Sequence, residues 1–313
     1  MKKILRLGSR GSPLALWQAE ETKKTLFATN PDFAETTEIE IIPITTSGDW
    51  QPEHREQSFR ELGGNKELFT KEIDEALLSG HIDMAVHSMK DVGTWLPSNL
   101  EIVATLPRAD PSDAFIGRTA QKFEDLPEGA VIGTASLRRQ AQLLQHRPDL
   151  RIMPLRGNVE TRLKKIADGQ ADATILALAG LQRLGLQNHV SSILSTDIML
   201  PAAAQGAIGL AARQDDRDMR NILQAINHRD TFVCVMAERA FLRKLDGSCH
   251  TPIGALATLD DAGHIHLDGV IAKADGSSVV RMQTSGAADK AEQIGEDLGT
   301  RIKATVSSDY FAA

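Results

Sequence analysis

The sequence predicts a mixed α/β protein: two successive units in which strands alternate with helices, then a smaller α+β unit built on antiparallel strands. Three observations carry this. Short apolar stretches alternate with helical periodicity from residue 4 to about residue 183, the pattern of βαβ units. Residues 82–87 (IDMAVH) read as almost continuously apolar, as parallel strands buried on both faces do. Beyond residue 250 the stretches 260–263 (DDAG) and 274–276 (ADG) are hairpin signals, so the last unit is antiparallel.

The first strand is expected over residues 4–8, followed by a loop that holds Arg10. Ser12 is a good N-cap and Pro13 suits the first helical position, so the helix through residues 14–27 has a well-specified start. In open α/β sheets the loops at the carboxyl ends of strands face the ligand crevice, which makes Arg10 either a ligand contact or a solvated loop charge. A second strand is expected over 38–44. Residues 46–64 are polar and Gly-bearing with no regular apolar spacing, a long loop of the functional or disordered kind. A helix follows over 68–79, with Phe69, Ile73, Ala76 and Leu77 on one face, Gly80 ending it and Lys66 near its start. The strand at 82–87 delivers Ser88, Lys90 and Asp91 to its carboxyl end, where the lysine and aspartate form a surface ion pair or serve a ligand.

Residues 100–113 carry two prolines and mixed charge and read as a crossing between domains. The second unit has strands at 130–133, 151–155 and 173–178, each running into a helix. At these junctions lie Ser136, Arg138 and Arg139, then Arg156 and Arg162, then Arg183. Helices favour acids in their first turn, because unsatisfied N–H groups and the macrodipole make that end positive. Arginines crowded there cost stability unless anions occupy the site, where N–H groups and guanidinium forks both bind them. Five arginines on the same side of one sheet point to a multiply anionic ligand, and arginine over lysine suggests planar carboxylates or phosphates. No Gly-rich phosphate loop is present, which favours carboxylates.

Residues 196–213, punctuated by Pro201 and Gly206, are expected to cross back. The third unit then reads as a helix over 231–245, a turn holding Cys249, strands at 253–259, 264–272 and 278–284, and a helix with Ile294, Leu298 and Ile302 at four-residue spacing. Cys249, on a tight turn with glycine to either side and His250 beside it, is a nucleophile, a covalent attachment point or a plain surface thiol. Cys234 lies in an apolar run and reads as core. Two cysteines make neither a disulfide framework nor a zinc site, and no metal is expected. The 313 residues suffice for two or three domains, and a net charge of −7 argues against wholesale nucleic-acid binding. No long apolar region follows Met1-Lys2-Lys3 and no run is long enough to span a bilayer, so a reduced cytoplasmic compartment without membrane contact is expected.

Taken together, SRGSPLALWQA (9–19), LFTKEIDEALL (68–78), AVHSMKDV (85–92), SLRRQAQL (136–143), RGNVETRL (156–163), ILALAGLQRLG (175–185), QGAIG (205–209) and AERAFLRKLDGSCHTPIGA (237–255) resemble the hydroxymethylbilane synthase, or porphobilinogen deaminase, family over nearly the whole chain. The resemblance implies three domains: two like periplasmic binding proteins with a central cleft (1–105 with 203–224, and 106–202) and a smaller α+β domain (225–313) carrying a cysteine loop. It implies a transferase that joins four porphobilinogen molecules head to tail with loss of ammonia, releasing linear hydroxymethylbilane. The primer is a dipyrromethane cofactor held by a thioether, here on Cys249. Each pyrrole carries an acetate and a propionate, so the arginines acquire ligands: Arg10, Arg138, Arg139, Arg156, Arg162 and Arg183 match the family's carboxylate binders. Of these, Arg10, Arg156, Arg162 and Arg183 also match contacts to incoming substrate. Ser88, Lys90, Ser136, Lys66 and Gln205 match supporting contacts to the cofactor, and residues 46–64 match a lid. Asp91 matches the catalytic carboxylate, which stabilises the azafulvene cation left by ammonia loss and also faces the cofactor. A monomer is implied, with its product passed to a downstream cyclising enzyme.

Five positions depart from the family pattern: Glu67 and Gly93 where Gly and Pro are usual, Ala135 for a frequent Ser, Ala204 for a usual Gly, and Ala211 where an acid is common. Glu67 puts a negative charge beside a carboxylate-binding lysine. Two other readings compete. A cysteine hydrolase using Cys249 and His250 leaves the arginines unexplained. A non-catalytic two-lobed polycarboxylate-binding protein needs neither Asp91 nor Cys249.

Overall fold

The structure is a computed structural model that describes residues 2–48, 66–245 and 251–311. The chain divides into two compact units. The first comprises Met1–Asp49, Lys66–Ala109 and Ala207–Phe232; the second comprises Asp110–Gly206 and Val233–Ala313. The expected domains 106–202 and 225–313 thus fall largely within the second unit, each with a sheet of its own.

In chain order the first unit begins with β1 (Lys3–Arg10), α1 (Pro13–Thr29), α2 (Pro31–Thr36), β2 (Thr37–Ile44), α3 (Lys71–Leu78), β3 (Met84–Ser88) and β4 (Leu100–Thr105). The second unit takes over with β5 (Asp113–Gly117), β6 (Val131–Gly133), α4 (Leu137–His146), β7 (Arg151–Met153), α5 (Val159–Ala167), β8 (Ala173–Ala177), α6 (Leu178–Arg183) and β9 (Ser192–Ile193). The chain then supplies β10 (Ile208–Arg213), α7 (Arg217–Gln224), α8 (Arg229–Lys244), β11 (Ile253–Leu259), β12 (His264–Ala272), β13 (Val279–Ala287) and α9 (Ala291–Lys303).

The first sheet has the order β2-β1-β3-β10-β4, with β1 parallel to β2 and β3 and with β10 antiparallel to β3 and β4. Residues 208–213 are therefore a central strand and not part of a crossing, a correction to the expectation for 196–213. The near-continuous apolar character of β3 has the expected cause. Met84 and Val86 pack on one face with Ala19 and Leu26 of α1, while Ala85 packs on the other with Ile73 and Leu77 of α3. Fully burying a large apolar side chain contributes on the order of 1.5–3 kcal/mol. Ala211 belongs to that second face. An acid there would be a charge in an apolar layer, so alanine suits this packing. β1 extends to Arg10, which corrects the expectation of a loop at that residue: the strand pairs with β2 through Arg10 and Ile44.

The second unit holds a sheet of order β7-β6-β8-β5-β9, in which β7, β6 and β8 are parallel and β5 is antiparallel to β8. Its two faces are covered as βαβ logic requires. Phe115, Ile132 and Ile175 meet Leu143 of α4, and Ala114, Ile116 and Leu176 meet Val159 and Leu163 of α5. β7 stops at Met153, two residues short of expectation. The same unit holds the antiparallel sheet β11-β12-β13, covered by α8 and α9 through Phe241, Leu245, Ile294, Leu298 and Ile302. Cys234 is buried in that core, as expected. Among the described residues no helix is long and apolar enough to cross a membrane.

Candidate active site

In the first unit the C-terminal ends of β1 and β3 and the start of α1 build one hollow of about 410 Å³, measured out to open solvent. Ser12 caps α1 as expected, its Oγ accepting from Ala15 N at 3.3 Å, and this fixes where the helix begins. Gln18 and Ala15 then face inward beside Arg10, Ser88 and Asp91, with Phe69, Thr70 and His87 completing the wall. Arg10 is held by its neighbour: its guanidinium carbon lies 4.7 Å from the centroid of the Phe69 ring, a cation–π contact. Gln18 Nε2 donates to Ser88 Oγ at 2.8 Å, and that hydroxyl lies 3.1 Å from Gln18 Oε1. The turn Met89–Asp91 follows β3 directly, with Met89 N donating to Ala207 O at 3.0 Å. That turn places half-buried Asp91 in the hollow as the single carboxylate among the lining residues. Lys90 lies on the same turn, half-buried, and does not line the hollow.

A second cluster forms in the second unit at the start of α4. Ser136 is the N-cap of α4, its Oγ accepting from Arg139 N at 3.4 Å. Arg138 and Arg139 fold back to a common partner, Asp113 at the head of β5. Arg139 Nη2 lies 2.6 Å from Asp113 Oδ1 and Arg138 Nη2 lies 2.8 Å from Oδ2. All three are buried, with the Asp113 side chain at 0% exposure. Arg138 Nη1 also donates to Leu200 O at 2.7 Å, and Gln205 Nε2 donates to Pro111 O at 2.7 Å and Asp113 Oδ1 at 3.1 Å. Burial acts to raise the Asp113 pKa. The charges of Arg138 and Arg139 and their hydrogen bonds outweigh it and hold the carboxyl well below the usual range. The same burial, with Arg139 alongside, pulls the Arg138 guanidinium below its ordinary value, against the pull of Asp113.

Of the remaining arginines, Arg156 follows the end of β7, Arg162 lies within α5, and Arg183 is in the last turn of α6, a correction to the expectation that it flanks a helix start. Arg156 precedes Gly157, whose φ of 118° no other residue adopts easily and whose Cβ would lie 2.7 Å from Thr161 Cγ2. Asn158 caps α5, accepting from Thr161 N at 2.8 Å, and Arg162 Nε donates to Asn158 O at 3.4 Å. Arg183 closes α6 and donates from Nη2 to Gly206 O at 2.7 Å, next to Gln205. Because β7 and β6 are adjacent and parallel, Arg138, Arg139 and Arg156 all follow strand ends at one end of the sheet.

Residues 5–221 match the family model described as "Porphobilinogen deaminase, dipyromethane cofactor binding domain", and residues 232–304 match "Porphobilinogen deaminase, C-terminal domain". This chain belongs to the porphobilinogen deaminase family. It is 48% identical over 310 residues to the chloroplastic porphobilinogen deaminase of Oryza sativa subsp. japonica, covering 98% of this chain and 86% of the relative. It is 46% identical over 307 residues to that of Paracoccus denitrificans (strain Pd 1222), covering 98% and 96%. Among solved structures it is similar to a putative methionine-binding lipoprotein of Bacillus subtilis at a TM-score of 0.43, with 14% identity, covering 72% of this chain and 90% of that one. The family is one of transferases of tetrapyrrole biosynthesis, forming hydroxymethylbilane from porphobilinogen with a dipyrromethane cofactor, and this chain spans its cofactor-binding domain.

Of the residues singled out in the sequence, Arg10, Ser88 and Asp91 come together in one hollow. Arg138, Arg139 and Gln205 come together around Asp113, and Ser136 caps the helix that carries the two arginines. Cys249 and most of the expected 46–64 lid lie outside the described residues, as do the side chains of Lys66 and Glu67. Gln18, His87 and Asp113 had no sequence signal. Gln18 sits on an ordinary helical repeat, and Asp113 opens a strand 25 and 26 residues before its arginine partners.

Proposed function

We propose that the chain condenses four porphobilinogen molecules head to tail onto a dipyrromethane attached to Cys249, with Asp91 as the catalytic carboxylate. The observation that carries this is the hollow around Asp91: one carboxylate, flanked by the Arg10 cation and the linked Ser88 and Gln18. Loss of ammonia from the aminomethyl group of porphobilinogen develops positive charge on the pyrrole ring. A carboxylate fixed beside that ring stabilises the charge, and a preorganised one does so without reorganising solvent. Arg10, stacked on Phe69 in the same hollow, is assigned to a carboxylate of the same substrate.

The residues of the second unit fit a polycarboxylate. Two guanidiniums share one carboxylate at Asp113, so the cluster keeps a net positive charge, and it sits at a helix N-terminus where N–H groups favour anions. Arg138, Arg139, Arg156, Arg162, Arg183, Ser136 and Gln205, with Ser88, Lys90, Asp91 and Lys66, are assigned to hold the dipyrromethane. Arg10, Arg156, Arg162 and Arg183 are assigned to incoming substrate. When bound, the dipyrromethane supplies the nucleophilic pyrrole carbon to which each new unit is joined. Organised as three domains (1–105 with 203–224, 106–202 and 225–313), the enzyme is assigned to the cytoplasm, where the Cys249 thiol stays reduced, as a monomer that hands its linear product to a cyclising enzyme.

Asp91→Asn tests the assignment, since it keeps shape and removes charge. Porphobilinogen consumption by purified protein carrying its primer should fall by about 10²-fold or more, with an unchanged unfolding midpoint. Near-normal turnover would remove Asp91 from the mechanism.

A further inference from the structure

Arg138 and Gln142 stand four residues apart on α4, so their side chains share one face of the helix, and both are buried. Long helical side chains lean toward the N-terminus, which brings Gln142 back over the turn that carries Arg138. There its carboxamide spans one residue of the segment at 199–201. Oε1 accepts from Leu200 N at 2.8 Å, and Nε2 donates to Leu200 O at 3.1 Å. The same Nε2 donates to Arg138 O at 3.3 Å and lies 3.5 Å from Met199 Sδ. The orientation of the amide follows from chemistry, since the Leu200 N–H can face only its oxygen. Leu200 is itself fully buried, so a side chain of similar size without an amide would leave that N–H unpaired.

Leu200 O is also an anchor of the Arg138 guanidinium. Nη1 donates to it at 2.7 Å, while Nη2 meets Asp113 Oδ2 at 2.8 Å. One contact leaves a guanidinium free to pivot, whereas two contacts on different nitrogens fix its plane. Arg139 needs no help from Leu200, because its Nε and Nη2 both contact Asp113 Oδ1, at 3.2 and 2.6 Å. Among the described residues, Leu200 has no hydrogen bond to α4 beyond those with Gln142 and Arg138. With the amide in place, the segment offers Arg138 an acceptor already fixed to its own helix. Without it, the guanidinium would have to hold the segment instead of being placed by it. We propose that Gln142 is a positioning residue for primer assembly: it ties Leu200 to α4 and so fixes the plane in which Arg138 meets a carboxylate of the dipyrromethane. The proposal deepens the function assigned above and rests on it for the role of Arg138.

The test uses Gln142→Met, which keeps length without the amide, and Gln142→Asn, which keeps the amide one methylene short. Each is made alone and combined with Arg138→Lys or with Arg139→Lys. The full-length proteins are produced in cells without porphobilinogen synthesis and then given porphobilinogen. Intact-protein mass spectrometry reads the rate at which the primer mass appears, and the thermal midpoint is measured beside it. Either change at Gln142 should slow primer acquisition by about tenfold, the worth of one hydrogen bond to a charged group. Arg138→Lys has already lost the two-nitrogen anchor, so in that background the further slowing should be under about twofold. In the Arg139→Lys background the full effect, about tenfold, should persist. The midpoint should fall in every background, because the Leu200 N–H loses its acceptor in each. A purely structural Gln142 would slow acquisition equally in all three backgrounds, and that result overturns the proposal, as does a parent-like rate in the single variants. Should Gln142→Met fail to accumulate, the milder Gln142→Asn decides by the same criteria. If Arg138→Lys alone leaves the rate at the parent value, the proposal falls because the role of Arg138 was misassigned, which separates the two failures.

Discussion

Replacing Asp113 by Asn should be the most damaging conservative change in the second unit. The side chain is fully buried and takes contacts from Arg138 Nη2, Arg139 Nη2 and Nε, and Gln205 Nε2. Asn keeps the volume and one acceptor oxygen, but it leaves two buried guanidiniums without this counter-charge. Removing one member of a buried ion pair costs about 3–5 kcal/mol, so the folded-to-unfolded ratio should fall by roughly 10²-fold or more. Urea denaturation gives the loss, and amide hydrogen exchange locates it: α4 should lose protection, while α1 of the other unit should keep it. The acid side of the stability profile supplies a second reading. Because the native Asp113 pKa is held below the usual range, its stabilisation is complete above about pH 4, the unfolded value, and fades as pH falls further. The Asp113→Asn variant lacks that contribution, so its stability should decline less steeply on acidification than the parent's. A stability loss under about 1 kcal/mol at neutral pH would refute the view that this carboxylate anchors the arginine pair.

Arg156 and Arg138 should behave differently on replacement by Leu. Arg156 is half-buried at a strand end, so Arg156→Leu should lower primer content and elongation with little change in unfolding midpoint. Arg138 is buried against Asp113, so Arg138→Leu should cost stability as well, on the order of 3 kcal/mol, read from the same urea curves. Gly276→Val addresses the β12–β13 turn, where φ is 72° and a Cβ would lie 2.7 Å from Ala141 O and Gln145 N of α4. It should destabilise the second unit by about 2 kcal/mol or more, and an unchanged midpoint would count against that close approach.

Much of this molecule is legible in the sequence where local chemistry decides structure. Ser12 and Pro13 set the start of α1 to the residue. The turn signals at 260–263 and 274–276 place β11 and β12 at their observed bounds, because glycines with positive φ, Gly263 and Gly276, close those hairpins. Arg138 and Arg139 are readable because they violate the dipole preference of a helix start, whereas Arg183 closes α6, where that dipole favours a cation. What escapes is set by distant partners. Asp113 supplies from within the chain an anion that the arginine pattern alone attributes wholly to a ligand, and nothing near residue 113 announces it. β10 is hidden because its small residues, Gly209, Ala211 and Ala212, read as a linker; they are small because Met89 and the α3-side core press against that strand. Arg10 moves from loop to strand end because pairing with Ile44 prolongs β1 past Gly8.

The covalent primer is the central claim, and intact-protein mass spectrometry tests it most directly. With Cys249 as the attachment point, its thiolate would capture the electrophile left when porphobilinogen loses ammonia and form a thioether that reducing agents do not open. Protein purified from cells with intact porphobilinogen synthesis should exceed its sequence mass by two porphobilinogen units less two ammonia molecules. Reductant should leave that excess in place, as should Cys234→Ser, which alters only a buried core residue. Cys249→Ser should abolish it. An unmodified parent mass, or an adduct that survives Cys249→Ser, would contradict the account.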